Sequence, residues 1–462
     1  MFSPERYQER REQLRKLIGS GVLLFPGNNE MPMNYPANPY HFRQDSSFLY
    51  YFGIDEPGLT GIIDADNGSE MIFGDDVAIE DIIWTGPLPL LADKAEKVGI
   101  SDTRPVSELK KTLQGYLSDD RPLLYLPQYR QDIINMVAEL TGQDYSSVNQ
   151  SSSEELARAV ISQRSIKSDE EVAEIEKALD ISWEMYRTAM RHIKAGLHEY
   201  EVCGKVQASV LARDSHLSFP IIFSVHGETL HNHSHVNMME EGDIVIMDSG
   251  AESPLHYASD ITRTIPVSGE FTRRQKDIYE TVLQAQLDAI EMMKPGVLNL
   301  DCHLKAAHTI AAGLTSIGLM KGDPGDAVEA GAHALFFPHG LGHMMGLDVH
   351  DMEGLNEDLV GYDENVTRSD QFGLAYLRLA RELEPGFVLT VEPGIYFIPE
   401  LIDRWKDEGK FSEFIDYHEV GKYRTFGGIR IEDDVLITAS GHRVLGKPIA
   451  KTVDEVQKWC SE

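Results

Sequence analysis

The chain of 462 residues contains few cysteines and no long apolar run. Its three cysteines, Cys203, Cys302 and Cys460, lie far apart and form no CxxC pair of the kind that serves zinc or redox chemistry. No segment approaches the roughly 18 consecutive apolar residues of a membrane-spanning helix. The N-terminal segment carries charges throughout, unlike a signal peptide. We therefore expect a cytoplasmic protein with free thiols and no membrane partner.

A surplus of positive charge is also missing. The chain has 42 Lys and Arg residues against 75 Asp and Glu residues, which gives a formal net charge of −33. Because nucleic acids are bound by surplus Lys and Arg, this balance argues against a nucleic acid partner. Hydrophobic residues make up 42% and charged residues 25% of the chain, proportions that are typical of a soluble globular protein.

The length predicts two domains, because a single hydrophobic core stops growing well below 462 residues. Up to about residue 160, helical patterns alternate with short apolar runs, which indicates an α/β layer without a Gly-rich phosphate loop. Near Arg164, the spacing of Ser168 and Glu171 forms a capping box that predicts the start of a helix. We therefore expect domains at 1–164 and 165–462.

The second domain shows two rounds of helical pattern followed by strand pattern. This order predicts a duplicated α+β unit, although no repeat is visible at the level of residue identity. The predicted helices after the first run from about His198 to Arg213, from Thr272 to Met293 and from Leu300 to Ile317.

Asp248 and Asp260 lie in adjacent apolar strand patterns whose turn centres on Pro254. An antiparallel hairpin is expected to bring the two carboxylates opposite one another on one face. Facing carboxylates among buried residues repel unless a proton or a cation neutralises them, so a metal is the simplest remedy. The alternative is that one of the two faces solvent.

Three histidines, His339, His343 and His350, fall close together in a segment that is rich in glycine. A lone histidine is usually structural, but a cluster of this kind offers a metal ligand with neighbours that donate protons. Further along, Glu392 and Glu432 each lie inside a β-rich run, where an unpaired charge is costly. Four buried acids and a histidine fit two divalent ions, and the absence of thiolate favours manganese, cobalt or zinc over copper.

Five motifs surround these residues in chain order: MDSGAE, ASDITRT, PHGLGH, TVEPGIY and GIRIEDD. They resemble the proline-specific branch of the pita-bread metallopeptidases (family M24B), which comprises aminopeptidase P and prolidase. The resemblance covers nearly the whole chain and includes a creatinase-like N-terminal domain around residue 38. It implies an α/β N-terminal domain followed by an α+β pita-bread catalytic domain with pseudo-two-fold duplication.

The resemblance also implies roles for individual residues. Asp248 would hold one metal ion, Asp260 and Glu432 would bridge two, and His343 and Glu392 would hold the other. Glu392 would in addition act as the general acid and base. For the substrate, the resemblance implies His231 and His350 as catalytic and binding residues, His339 as an accessory binding residue and Arg430 as a support of the network. The ions would be manganese, with cobalt or zinc as alternatives.

Two departures from the family pattern carry expectations of their own. The hairpin from Asp248 to Asp260 is one residue longer than usual, so we expect a bulge within it. His231, His233 and His235 alternate as they would on one face of a strand, and we expect His233 and His235 at the surface.

The resemblance implies hydrolysis of short Xaa-Pro peptides by a homo-oligomer. The extended segment before Glu392 looks like prolidase, the Xaa-Pro dipeptidase, with Arg378 binding the C-terminal carboxylate of the substrate. The alternative for Arg378 is a surface pair with Glu382 on a helix. The alternative activity is that of aminopeptidase P, which acts on longer peptides. A non-catalytic peptide-binding relative is a third possibility, which an eroded ligand set would indicate.

Overall fold

The computed structural model describes residues 1–119 and 121–462, except for the side chains of Glu80 and Asp81. The chain divides into two compact units. The first comprises residues 1–164 together with 352–356, and the second comprises 165–351 and 357–462. The fold places an α/β unit before a larger α+β unit, as the sequence predicts.

A five-stranded mixed sheet with helices around it forms the first unit. Its strands are β1 (Val22–Pro26), β2 (Thr60–Asp64), β3 (Glu70–Phe73), β4 (Asp102–Arg104) and β5 (Leu123–Tyr125), in the order β4-β3-β2-β1-β5. The pairs β1–β2 and β2–β3 are antiparallel, whereas β1–β5 and β3–β4 are parallel. The helices of this unit are α1 (Pro4–Ile18), α2 (Ser46–Phe52), α3 (Ile79–Thr85), α4 (Leu91–Glu96), α5 (Leu109–Ser118), α6 (Gln131–Thr141) and α7 (Glu154–Ser165), the last ending at the first residue of the second unit.

In the second unit, helices alternate with antiparallel strands. The capping box at Ser168 forms as predicted, because the Ser168 hydroxyl accepts from the Glu171 amide and the Glu171 carboxylate accepts from the Ser168 amide. The long helices are α8 (Asp169–His192), α9 (Glu199–Leu211), α10 (Arg273–Met292) and α11 (Asn299–Ser316). Shorter helices follow at α12 (Pro324–Ala330), α13 (Glu353–Gly361, which begins in the first unit), α14 (Pro399–Asp407), α15 (Tyr417–Val420) and α16 (Val453–Ser461).

The strands of the second unit fall into three small sheets. The first contains β6 (Ile222–Ser224), β7 (Ile244–Ser249) and β8 (Ile261–Pro266), and follows the helix pair α8 and α9. The strands after α10 and α11 are β9 (Val388–Val391), β10 (Gly394–Tyr396), β11 (Gly428–Arg430), β12 (Asp433–Ile437) and β13 (His442–Val444). They form the sheets β13-β12-β9 and β10-β11, so a helix pair is twice followed by antiparallel strands.

The hairpin of β7 and β8 differs from the predicted one in its register. Asp248 is opposite Thr262, so Asp260 is a diagonal neighbour of Asp248 and does not face it directly. The two arms of the hairpin keep the same pairing register up to the bridge between Glu252 and Ala258, which leaves no bulge between these positions. The chain reverses in the turn at 253–257, where the Ser253 amide donates to the Tyr257 carbonyl. The expected bulge is therefore wrong, because the turn accommodates the full length of the segment.

No helix within 1–119 and 121–462 combines the length and the apolar character that crossing a membrane requires.

Two fully buried histidines lie in the core, His303 on α11 and His333 just after α12. His303 stacks on Phe337 at 5.1 Å between ring centroids, and His333 lies 6.4 Å from His303. Among the described residues, neither imidazole finds a hydrogen-bond partner. Burial lowers the pKa of His303 to about 3 and that of His333 to about 4, so both rings are neutral in the folded protein at neutral pH.

These two pKa values predict acid sensitivity. The unfolded chain binds protons at both imidazoles below about pH 6.5, whereas the folded chain does not until pH 3 to 4. The contribution of the two histidines to the free energy of unfolding is therefore fully present above pH 6.5. It is lost as the pH falls, by up to about 1.4 kcal/mol per pH unit for each histidine. We expect His303→Phe to show a smaller drop in thermal unfolding midpoint between pH 7 and pH 5 than the wild type. His308→Phe, at an exposed position of α11, should match the wild type, and an equal drop in all three proteins would contradict the prediction.

Candidate metal centre

Three predicted ligands converge on one small buried volume. A carboxylate oxygen of Asp260, a carboxylate oxygen of Glu432 and a ring nitrogen of His343 all lie within 4.8 Å of one another. His343 Nε2 is 3.6 Å from Asp260 Oδ2 and 3.6 Å from Glu392 Oε1, which places a fourth predicted residue beside the cluster. Asp260, His343 and Glu432 are each at most 4% exposed, so bulk water does not separate them.

The sequence predicted these acids inside strands, but most of them lie at strand ends. Asp248 lies within β7, whereas Asp260 directly precedes β8, Glu392 directly follows β9 and Glu432 directly precedes β12. Pro393 has no amide proton to continue the ladder after Glu392. A bridge between Thr262 and Glu432 brings the end of β12 to β8. Three of the four acids therefore reach the cluster from the ends of neighbouring strands.

The electrostatics of this cluster are unfavourable without a cation. Burial and the neighbouring carboxylates raise the pKa of Asp260 and that of Glu432 well above their ordinary values. Burial, opposed in part by Arg430, raises the pKa of Glu392 to about 8. Asp248 Oδ1 and Asp260 Oδ1 are buried and find no hydrogen-bond partner within the described part of the chain. Such a set of oxygen ligands fits divalent cations.

His343 is oriented as a neutral ligand. Its Nδ1 lies 3.1 Å from the Met344 carbonyl oxygen, which can only accept, so Nδ1 carries the proton and Nε2 keeps its lone pair. Burial lowers the pKa of His343 to about 4, which disfavours protonation of Nε2. The same Nε2 is the atom that faces Asp260 and Glu392. A backbone carbonyl that accepts from Nδ1 fixes the tautomer that metal ligation requires.

A hydrogen-bonded network supports the cluster from the side of β11. Arg430 Nη2 donates to Asp248 Oδ2 at 2.6 Å, and Arg430 Nη1 donates to the Tyr396 hydroxyl at 2.8 Å. Since His339 Nδ1 lies 2.8 Å from the Gly340 carbonyl, the Tyr396 hydroxyl donates to His339 Nε2 at 2.9 Å. Asp248 is thereby linked to His339, which is neutral because burial lowers its pKa to about 3.

On the opposite side, His350 and Arg378 stand together. The ring centroid of His350 lies 4.4 Å from that of His343. Arg378 Nη1 is 3.0 Å from His350 Nδ1, and since a guanidinium only donates, the proton of the neutral imidazole is on Nε2. Arg378 Nη1 also lies 3.8 Å from Glu357 Oε2. Arg378 occupies a bend and not a helix, so the helical setting of the alternative pair with Glu382 is wrong.

His231, His233 and His235 do not share the face of a strand, because the segment after β6 is an irregular loop. His231 is exposed, and desolvation followed by the nearby Arg430 lowers its pKa. His233 is exposed as expected. His235 is half-buried, with Nε2 3.0 Å from the Ile221 carbonyl, so its expected surface position is wrong.

Three residues that hydrogen-bond to the predicted site residues were not predicted from the sequence. Thr262 Oγ1 donates to Glu432 Oε2 at 2.7 Å and accepts from Arg430 Nε at 3.1 Å. Asp434 Oδ2 accepts from the Asp260 amide at 3.2 Å, and Tyr396 links Arg430 to His339. Each is a polar residue within an apolar strand pattern next to a predicted ligand, which is the signal that could have identified them.

Comparison with known proteins gives two family matches. The model of metallopeptidase family M24 matches residues 173–439, and that of the aminopeptidase P N-terminal domain matches residues 7–125.

Similarity to individual proteins extends over the whole chain. An Xaa-Pro dipeptidase of Rattus norvegicus is 34% identical over 458 residues, covering 96% of this chain and 90% of the relative. A probable Xaa-Pro aminopeptidase of Fusarium vanettenii is 34% identical over 447 residues, covering 96% and 92%. Among solved structures, a variant of Escherichia coli aminopeptidase P in complex with substrate superimposes with a TM-score of 0.82 at 28% identity, covering 100% of this chain and 99% of that chain.

The supporting network gives a testable stability effect. Tyr396→Phe removes the hydroxyl that pairs with both Arg430 and His339, leaving two buried groups without this partner. We expect a loss of about 1–3 kcal/mol, seen as a lower thermal unfolding midpoint. Tyr376→Phe, at a position that is 57% exposed, is the matched control and should leave the midpoint unchanged. A midpoint for Tyr396→Phe equal to that of the control would contradict the network.

Proposed function

Since the chain belongs to metallopeptidase family M24, we propose that it is a proline-specific exopeptidase that hydrolyses Xaa-Pro dipeptides. The observation that carries this proposal is the convergence of Asp260, His343 and Glu432 in a buried cluster that like charges destabilise without a cation. The similarity of the whole chain to Xaa-Pro peptidases supports the choice of substrate. The non-catalytic alternative is disfavoured because every predicted ligand is present.

The proposed metal ligands are those predicted from the sequence. Asp248 would bind one divalent ion, His343 and Glu392 the other, and Asp260 and Glu432 both, with manganese proposed over cobalt or zinc. When bound, the two ions would supply Lewis acidity to the scissile carbonyl and lower the pKa of a shared water. Asp248 Oδ1 and Asp260 Oδ1 support this set, because they are buried acceptors without a hydrogen-bond partner among the described residues.

Each remaining residue has a role that its geometry supports. Glu392, with its pKa raised to about 8, can take up and release a proton near neutral pH. His350, which carries its proton on Nε2, can donate a hydrogen bond to the developing oxyanion. His231 would face the substrate from its exposed loop, His339 would line the site through Tyr396, and Arg430 would hold Asp248.

Specificity for dipeptides is assigned to Arg378. A dipeptide presents its C-terminal carboxylate next to the proline ring, where a guanidinium can bind both oxygens. Arg378 stands next to His350 and is one-third exposed, which supports access of a substrate carboxylate to its guanidinium. In a longer peptide the same position holds a neutral amide, which gains less from a cation.

The second candidate function is that of an Xaa-Pro aminopeptidase acting on longer peptides. It is supported by the similarity to Escherichia coli aminopeptidase P and to the fungal relative. The two functions separate on a matched pair of substrates, Ala-Pro and Ala-Pro-Ala. Equal or faster turnover of the tripeptide would overturn the dipeptidase proposal in favour of the second candidate.

We also propose a cytoplasmic homo-oligomer. Cys203, Cys302 and Cys460 are free thiols, which supports a reducing compartment. On α3, Ile83 and Trp84 are 80% and 85% exposed, and large apolar side chains so exposed support a contact with another copy of the chain.

Removing the carboxylate that is proposed to bind both ions should reduce metal loading. In Glu432→Gln the side chain keeps its shape but loses its charge, so we expect less than two manganese ions per chain by elemental analysis and a fall in kcat/KM for Ala-Pro of more than about a hundredfold. Glu280→Gln, at an exposed position of α10, is the matched control and should keep both values. Full metal content and activity in Glu432→Gln would exclude the proposed centre.

Arg378 should separate the two substrate classes. Since a charge-assisted hydrogen bond contributes about 1.5–3 kcal/mol, Arg378→Met should lower kcat/KM for Ala-Pro by about ten- to a hundredfold and affect Ala-Pro-Ala much less. Arg404→Met, at a surface position, should change neither substrate. An equal loss on both substrates would show that Arg378 supports the site without recognising the carboxylate.

A further inference from the structure

A buried glutamate closes the loop that carries His231. Glu199, the first residue of α9, is 0% exposed. Its Oε1 accepts from the Val225 amide at 2.9 Å, and its Oε2 accepts from the Asn237 amide at 3.3 Å. One carboxylate therefore binds the backbone at both ends of the loop 225–237, which brings the two ends together as in an Ω-loop.

Further bonds surround this contact. The Asn237 side-chain amide lies 3.2 Å from Glu199 Oε1 and 3.1 Å from Glu199 Oε2, and the Glu199 amide donates to the Asn237 carbonyl at 3.0 Å. Across the same end of the loop, His235 Nε2 lies 3.0 Å from the Ile221 carbonyl. The two oxygens of Glu199 face N–H donors, which compensate for burying the charge.

The start of the loop lies directly against the strands of the candidate centre. A side chain at Gly227 would come within 2.8 Å of Ile246 on β7 and 3.0 Å of the Gly428 carbonyl on β11. These strands carry Asp248 and Arg430, whose charges affect His231. The loop that carries His231 therefore begins beside the strands that carry Asp248 and Arg430.

We propose that Glu199 is a positioning residue that closes the loop 225–237 and thereby holds His231 over the site. The inference deepens the proposed function, on which it rests for the role of His231. An alternative role for Glu199 is to stabilise the N-terminus of α9 as a helix-capping acid, without any effect on the loop.

The variant Glu199→Gln tests the proposal in the full-length, manganese-loaded protein. The glutamine keeps the volume but places an amide NH2 against N–H donors, which should open the loop ends. By hydrogen–deuterium exchange, we expect amides in 226–236 to exchange about tenfold faster or more. The kcat/KM for Ala-Pro should fall about ten- to a hundredfold, because a displaced contact group loses its alignment, while the metal content stays unchanged.

A double-mutant cycle distinguishes positioning from general support. If Glu199 acts through His231, then Glu199→Gln should change kcat/KM by less than about twofold in a His231→Ala background. Val206→Ala, at a buried position of the same helix, is the matched destabilising control and should leave both the exchange of 226–236 and the kcat/KM unchanged. Asn237→Ala, which removes the side-chain bonds alone, is the milder variant should Glu199→Gln not fold, and it should shift both measurements in the same direction.

Additive losses in the cycle, equal effects of Val206→Ala, or an unchanged loop in Glu199→Gln would each overturn the proposal. A wild-type protein that hydrolyses no Xaa-Pro peptide would instead refute the proposed function, and the exchange measurement would still decide whether Glu199 closes the loop.

Discussion

Mutual repulsion among buried carboxylates is the constraint on which the second unit depends. Asp260 and Glu432 are buried, Asp248 and Glu392 lie near them at the edge of the cluster, and Arg430 neutralises Asp248 through a short ion pair. The remaining charge needs protons or cations. Strand ends suit this purpose because a side chain there can turn toward the cluster without the alternation that a continuous strand imposes. The match to metallopeptidase family M24 implies divalent metal ions.

Hydrogen-bond partners set the protonation of the histidines around this charge. His343 and His339 each donate Nδ1–H to a backbone carbonyl, whereas His350 accepts from Arg378 at Nδ1. Burial keeps all three neutral by lowering their pKa values. Two of these imidazoles therefore present different atoms: His343 has a lone pair on Nε2, and His350 has an N–H at Nε2.

The sequence was a good guide to local structure and to the chemical type of the site. The capping box at Ser168 and the helices near His198, Thr272 and Leu300 could be predicted because local hydrogen bonds and apolar spacing determine them. The register of the hairpin could not, since it depends on which residues the turn absorbs. The alternating histidines around His231 predicted a strand, but the segment is an irregular loop. Its hydrogen bonds join the Val225 amide to the Glu199 carboxylate and His235 Nε2 to the Ile221 carbonyl.

The turn at 253–257 governs how far this hairpin can vary in length. Asp248 and Ser249 pair with Thr262 and Ile261, and the bridge of Glu252 with Ala258 continues the same register. One residue added to either arm would rotate the following side chains to the other face and turn Asp260 away from Glu432. One residue added to the turn leaves both arms in the same register. Relatives can therefore differ in length at this turn and keep the same centre, whereas the arms must keep their length.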